Sequence, residues 1–406
     1  MTQRDEVGAP GSAWALAIAA TLGMSVSYID RQTLAAIAPS VTKALGIDNA
    51  HYGLLLSAFS LAYLVGAPAA GIVVDRIGAR RGFAAAVLVW SIIAGLHAFA
   101  VSFGTLFVLR LLLGAAEAPS FPSAVQSIRR ALPGARRPLA FGILFTGSSF
   151  GAIVAAKLAV GLDAAYGFRA AFVVTAAIGM LWLPLWFVVS KGFGLERGAT
   201  HEARSSTPRA PLHHVLTSPP VLRAIVAIVG SAPAMMFVLN WTSKYLVDGW
   251  HVPKESIGNY LIAAPLLFDI GAIGFGAIAG RTKTHTNLFA IAMLLQASLA
   301  LAPLAPSPAV AIALFAASAC GGGGVYVLVT NDMLARVPIE RTSVAGGMTA
   351  AAQSLAHVVF GPLVGWSIDR THGYGVALVA LGLAVPPTML AFLSWPKIDP
   401  KIGDPA

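Results

Sequence analysis

The feature that most constrains this chain is a succession of apolar stretches, each about 20 residues long, joined mostly by loops of a few residues. Twenty residues of α-helix rise about 30 Å, the thickness of a bilayer's hydrocarbon core. In that core every backbone N–H and C=O must be satisfied within the chain, so a segment of this kind is helical or it does not cross. The pattern predicts twelve transmembrane helices at 13–40, 50–74, 82–102, 105–130, 139–162, 168–190, 221–247, 256–280, 286–305, 308–334, 342–367 and 374–394. Composition removes the soluble alternative. The chain is 57% apolar and 11% charged, against about 45–50% and about 25% for soluble domains. The expected class is an all-α, multi-pass membrane protein with the lipid bilayer as its solvent.

One connection breaks the rule of short loops. Residues 191–222 are rich in Arg, Ser, Pro and His, lack apolar periodicity, and read as a polar linker. The expected organisation is an N-terminal six-helix bundle over 1–190, a cytoplasmic linker over 191–222, and a C-terminal six-helix bundle with its tail over 223–406. The net charge of +10 then finds an explanation that needs no nucleic acid. With both termini in the cytoplasm, nineteen of the Lys and Arg residues fall on inner segments, and only Lys43, Arg169, Lys254 and Arg370 on outer loops. That is the positive-inside pattern. It predicts a multi-pass protein of a bacterial inner membrane with both ends inside. The polar start, Met1 to Gly11, lacks a cleavage site, so the first span itself is expected to direct insertion. The single cysteine, Cys320, excludes an internal disulfide and a cysteine-based metal site.

The halves carry a weak internal echo. Span 2 ends in GIVVDRIGARRG, Gly71 to Gly82, and span 8 ends in GAIAGRTKT, Gly276 to Thr284. Each places an Arg five residues after a Gly at an inner helix end, and Gly280 stands where the first copy has Asp75. Repeated halves are a recurring transporter plan, with substrate held near the bilayer midplane. The first copy contains Gly71, Asp75, Arg76, Gly78, Arg80 and Arg81, which read either as an inner loop following the positive-inside rule or as a conformational latch. Twelve spans, the six-plus-six split and this G-x-x-x-D-R-x-G-x-R-R string resemble the major facilitator superfamily over essentially the whole chain. That resemblance implies a latch that steadies the outward-facing state.

Charges within the spans are the second signal. A charge at mid-bilayer costs at least about 2.5–3.5 kcal/mol, so each needs a partner or a task. Span 1 carries Asp30 and Arg31, span 4 Arg110 and Glu117, span 5 Lys157, span 7 Lys244 and span 8 Asp269. Arg110 and Glu117 are seven residues apart and share one helix face. Two acids and two bases on spans 1 and 4 can form one network, either as satisfied ion pairs that order packing or as a site for anions and protons. Lys157 can supply a further cation, neutralise Glu117 or snorkel outward. Lys244 can reach a central cavity or the outer surface. Asn240, one turn earlier, offers hydrogen bonds, and Asp269 can bind protons or substrate or pair with Lys244. Gln353 and His357 share a face of span 11 at i, i+4, as a possible substrate contact and a possible proton or packing group. Tyr28 and Tyr63 offer a hydroxyl and an aromatic face, or plain packing.

These residues carry a narrower resemblance. SYIDRQTLAAIAPS (Ser27 to Ser40), RLLLGAAEAPSFPS (Arg110 to Ser123) and GSSFGAIVAAKLAVGL (Gly147 to Leu162) resemble the anion:cation symporter family. WTSKYL (Trp241 to Leu246) and PLLFDIG (Pro265 to Gly271) resemble its hexuronate and sugar-acid branch. The resemblance implies proton handling by Asp30 and Glu117 and carboxylate handling by Arg31 and Arg110, with Tyr28 and Tyr63 as site tyrosines. Lys157 departs from that family's pattern, where a small residue or proline is expected, and GFR (Gly167 to Arg169) stands for the branch's usual GWR.

No phosphate-binding G-x-x-x-x-G-K-[ST] loop, HExxH or nucleophile elbow is present in the sequence. The expectation is therefore a non-enzymatic secondary transporter, acting as a monomer without cofactor or metal, that imports a small organic anion with protons as the coupling ion. A sugar acid such as a hexuronate or aldonate is the expected cargo. Proton-independent anion exchange or uniport (monocarboxylates included), proton-driven drug efflux and a non-transporting receptor are the alternatives.

Overall fold

The computed structural model describes residues 10–133, 136–195, 218–279, 281, 285–336 and 342–395. Among these residues there is no β-strand, and long helices follow one another as the apolar pattern requires. The spans are span 1 (Pro10–Ala36), span 2 (Asn49–Ile77), span 3 (Ala79–Leu96), span 4 (Phe103–Glu117 with Ser120–Ala131), span 5 (Arg137–Tyr166) and span 6 (Phe168–Val189). They continue with span 7 (Pro219–Asn240), span 8 (Ile257–Leu261 with Ala263–Ala279), span 9 (Thr286–Ala297), span 10 (Pro308–Leu334), span 11 (Thr342–Thr371) and span 12 (Gly375–Ser394). Eleven of these stretches are long and apolar enough to cross a membrane. The other, span 11, runs for 30 residues and dilutes its apolar content with Gln353, His357, Asp369 and Arg370.

The chain forms two compact units. The first gathers the described residues within Met1–Ile47, Ala58–Ser206 and Pro253–Ile262, and the second those within Asp48–Ser57, Thr207–Val252 and Ala263–Ala406. Asp48–Ser57, at the start of span 2, is grouped with the second unit, and Pro253–Ile262, leading into span 8, with the first. The first grouping has a backbone cause. A Cβ on Gly53 would lie 2.2 Å from the Gly361 carbonyl oxygen, so the start of span 2 and the middle of span 11 touch main chain to main chain. The proposed linker, 191–222, falls mostly outside the described residues.

Within the first unit, aromatic packing fixes spans 1, 3 and 6. Phe83 stands 4.9 Å from Trp182 and 5.1 Å from Trp186, ring centre to ring centre. Both indoles are satisfied: Trp182 donates to the Ala19 carbonyl at 2.9 Å and Trp186 to that of Arg80 at 3.0 Å. Two glycines set the frame of the site described below. A Cβ on Gly151 of span 5 would meet the Ser25 carbonyl of span 1 at 2.3 Å, and one on Gly114 of span 4 would meet the Phe59 carbonyl of span 2 at 2.3 Å. Small residues are what permit such close crossings, because the bilayer adds no hydrophobic drive between helices.

The Gly71–Arg81 string is divided between two helices. The side chains of Gly71 and Asp75 lie outside the described residues, and Arg76 and Arg81 are exposed. Arg80 is committed inside its own unit, where it donates from Nη2 to the Phe187 carbonyl at 2.9 Å and from Nε to the Ser190 hydroxyl at 3.1 Å. It thus ties the start of span 3 to the end of span 6. Gly78 ends span 2 and caps span 3 with φ 85 and ψ 151, a backbone conformation confined in practice to glycine. Gly78→Ala is expected to lower the unfolding free energy by about 1–3 kcal/mol, read as a lower thermal midpoint of the detergent-solubilised protein.

Candidate functional site

Polar groups of spans 1, 2 and 4 converge inside the first unit. Span 4 is interrupted right after Glu117, where Pro119 and Pro122 lack backbone donors. At the break the Glu117 carbonyl accepts the Ser120 hydroxyl at 2.6 Å. The break leaves the Glu117 side chain fully buried, facing span 1. Its Oε2 accepts two hydrogen bonds, from Arg31 Nη2 at 2.8 Å and from the Ser27 hydroxyl at 2.6 Å. Its Oε1 is buried without a hydrogen-bond partner.

Arg31 is enclosed by rings. Its guanidinium carbon lies 4.6 Å from the ring centre of Tyr28, 4.5 Å from that of Phe59 and 5.2 Å from that of Tyr63. Each such contact contributes about 0.5–2 kcal/mol, more where water is excluded. The Arg31 side chain keeps 19% of its surface exposed, against none for Glu117. Residue exposure is 3% for Asp30 and 2% for Arg110, so Arg31 is the charge of this cluster that a solute can reach. Arg110 lies 5.0 Å from the Phe59 ring centre, so one phenyl ring contacts both guanidinium groups. His97, at the end of span 3, is within electrostatic reach of Arg110, and its Nδ1 is hydrogen-bonded to the Ile93 carbonyl at 2.8 Å.

Asp30 points elsewhere. Neighbouring helical positions diverge by about 100°, and the carboxyl turns toward Trp90 of span 3 while remaining in electrostatic reach of Glu117. Neither of its oxygens has a hydrogen-bond partner within the geometric limits.

Tyr28, Asp30, Arg31, Tyr63, Arg110 and Glu117 are thus brought together. Phe59 and Ser27 complete the cluster and were not singled out from the sequence. Phe59 had a signal, since it precedes Tyr63 by one helical turn on the same face. Lys157 lies apart from Glu117: it is exposed and donates to Asn259 Oδ1 at the start of span 8.

The remaining candidates belong to the second unit. Asn240 folds its amide back on its own helix, donating to the Met236 carbonyl at 3.0 Å, while its backbone carbonyl accepts the Tyr52 hydroxyl at 2.6 Å. Lys244 is buried and pairs with Asp248 at 3.0 Å, on a helix that loosens into a π-turn over Tyr245–Gly249. The same carboxylate accepts the Tyr374 hydroxyl at 3.2 Å. Asp269, Gln353 and His357 are half-buried on spans 8 and 11. No cluster of three or more potential metal ligands occurs among the described residues.

Known proteins show the family of this chain. The sequence model of the Major Facilitator Superfamily matches residues 20–361. The hexuronate transporter of Escherichia coli (strain K12) is 26% identical over 419 residues, covering 96% of this chain and 95% of that protein. The hexuronate transporter of Bacillus subtilis (strain 168) is 26% identical over 400 residues, covering 94% and 93%. The galacturonate transporter of Dickeya chrysanthemi is 31% identical over 181 residues, or 45% of this chain and 52% of that one. Among solved structures, a bacterial homologue of the human lysosomal transporter Spinster, inward-facing and unoccupied, superposes with a TM-score of 0.78 at 17% identity, covering 96% of this chain and 95% of that one.

Proposed function

This chain belongs to the major facilitator superfamily, and we propose that within it the protein imports a sugar acid, a hexuronate or aldonate, together with protons. The observation that carries this reading is the Arg31–Glu117 pair: a partly open guanidinium boxed by three rings and held by a fully buried carboxylate. A guanidinium fork matches a carboxylate, and the surrounding ring faces and hydroxyls suit a polyhydroxylated chain. The names of the sugar-acid transporters that align over nearly the full length support the same cargo.

The coupling follows from competition. While Glu117 is ionised, it holds Arg31. A proton on Glu117 cancels the charge that holds the pair and frees the guanidinium for the substrate carboxylate. Asp30, buried beside Trp90, is the second proton site, and Arg110 adds positive potential along span 4. Alternating access then carries substrate and protons across, and both leave on the inner side. The protein works in a bacterial inner membrane with both termini in the cytoplasm. One chain holds every member of this cluster, so a monomer suffices.

The test is uptake into proteoliposomes. An inwardly directed proton gradient should drive accumulation of galacturonate and raise the external pH, with neutral galactose failing to compete. Competition by neutral sugars alone would remove the anion assignment, and uptake that leaves external pH unchanged would remove the proton.

A further inference from the structure

We propose that Ser27 is a positioning residue that keeps the Glu117 carboxyl group in place when Arg31 leaves it for the substrate. The inference deepens the proton-coupled reading above and rests on it for its transport consequences.

Span 1 carries several hydroxyls, and their usual behaviour is visible in the helix itself. Thr21 donates to the Ala17 carbonyl at 2.9 Å, Ser25 to that of Thr21 at 3.1 Å and Thr33 to that of Ile29 at 2.8 Å. Each bonds back one turn, as helical Ser and Thr ordinarily do. Ser27 does not. Its hydroxyl, fully buried, crosses to span 4 and donates to Glu117 Oε2 at 2.6 Å. A hydroxyl has one hydrogen to give, and here it is spent on a carboxylate that Arg31 already contacts.

That redundancy has a use. Both donors meet on Oε2, while Oε1 is buried without a partner. A proton that neutralises Glu117 therefore binds Oε1, and Oε2 becomes the carbonyl oxygen of a neutral acid. A carbonyl oxygen still accepts from Ser27, whereas the charge that held Arg31 is gone. The Ser27 bond persists across both protonation states and the Arg31 bond does not. Without Ser27, the neutral carboxyl group would lose every hydrogen bond the structure gives its two oxygens as Arg31 departs, and nothing would hold its rotamer for the return of Arg31. The groups facing this carboxyl are Arg31 and Asp30 from span 1 and Tyr63 from span 2. Tyr28 lies against Arg31, and Arg110 stands two turns earlier on the same helix.

Two measurements test this, and they separate the inference from the reading beneath it. The first is the infrared carbonyl stretch of protonated Glu117 in the purified carrier at acid pH without substrate, identified by its disappearance in Glu117→Gln. Ser27→Ala should move that band to higher wavenumber by removing the donor to the carbonyl oxygen, and Ser27→Thr should restore it. An unmoved band overturns the proposal. The second is galacturonate uptake driven by a pH gradient. Losing a hydrogen bond to a neutral acid should make Ser27→Ala slow uptake about five- to tenfold and alter its pH profile, with Ser27→Thr recovering both. Uptake by Ser27→Ala at the wild-type rate and with the wild-type pH profile overturns the proposal. Wild-type proton-driven uptake by Glu117→Gln itself would defeat the coupling reading, and the infrared band would still decide the role of Ser27.

Discussion

Arg31→Ala should abolish substrate uptake and destabilise the protein at the same time, and the two effects should be separable. Two charge-assisted hydrogen bonds to a substrate carboxylate contribute about 3–6 kcal/mol together. Their loss therefore lowers uptake at subsaturating substrate at least about a hundredfold. The stability loss has a different origin. Glu117 is fully buried, and among the described residues its cationic hydrogen-bond donor is Arg31 at 2.8 Å. Removing one member of a buried ion pair costs about 3–5 kcal/mol, because the other is left as an uncompensated charge. Arg31→Ala combined with Glu117→Gln should thus recover most of the thermal stability and none of the uptake. Arg31→Lys keeps the charge but loses the flat group that lies among Tyr28, Phe59 and Tyr63. It should retain stability better than alanine and still transport poorly. Uptake by Arg31→Ala within threefold of wild type would remove Arg31 from the binding site.

The sequence revealed the parts of this protein that repeat or are expensive. Apolar length predicts the spans, because nothing but a helix satisfies its backbone in lipid, and span 11 is recognisable despite its polar dilution. The charges of spans 1 and 4 stand out because each is costly where it lies, and they do meet. Ser27 and Phe59 were hidden for the opposite reason. A serine and a phenylalanine cost little in a membrane helix, so only the partner across the gap distinguishes them from packing. Lys157 illustrates a third limit: a lysine's long stem leaves its destination undetermined by sequence position, and here it ends on Asn259. The grouping of the starts of spans 2 and 8 was equally invisible, since helix periodicity says nothing about which neighbour a glycine face will meet.

That glycine face carries the other large effect: Gly365→Leu should break the contact between spans 2 and 11, at the helix ends that the proposed orientation places on the outer side. A Cβ at Gly365 would lie 2.0 Å from the Asn49 carbonyl oxygen, and one at Gly361 would lie 2.8 Å from both the Gly53 carbonyl oxygen and the Ser57 hydroxyl. The contact is also polar. Asp369 accepts from the Asn49 amide side chain at 2.7 Å and from the Ala50 backbone at 2.8 Å, with the Asn49 backbone at 3.3 Å. It thereby satisfies the free N–H groups at the start of span 2, where a carboxylate is favoured by the helix dipole. Asp48 caps the same end. Burial pushes its carboxyl up, but hydrogen bonds from the His51 backbone and ring, together with the ring's charge, hold it below the usual range. Its contribution is present above the ordinary carboxylate range and lost as pH falls through the lowered value. Spans 2 and 11 come from opposite halves of the sequence, so in an alternating-access carrier this contact must part for the outer side to open. A leucine that cannot fit costs the closed arrangement about 1–3 kcal/mol, or more where backbone must move. A shift of that size changes the ratio of the two states about five- to a hundred-and-fifty-fold. The measurement uses Cys320→Ala, which removes the single native thiol, together with Ser57→Cys as the reporter. Ser57 is 6% exposed and donates to the Val358 carbonyl at 2.8 Å, so it is covered while the contact holds. Gly365→Leu should raise its labelling rate by an impermeant maleimide at least about fivefold and stop net uptake, and Asp369→Asn should do so to a smaller degree. Equal labelling with and without the leucine would mean that this contact does not gate the outer side.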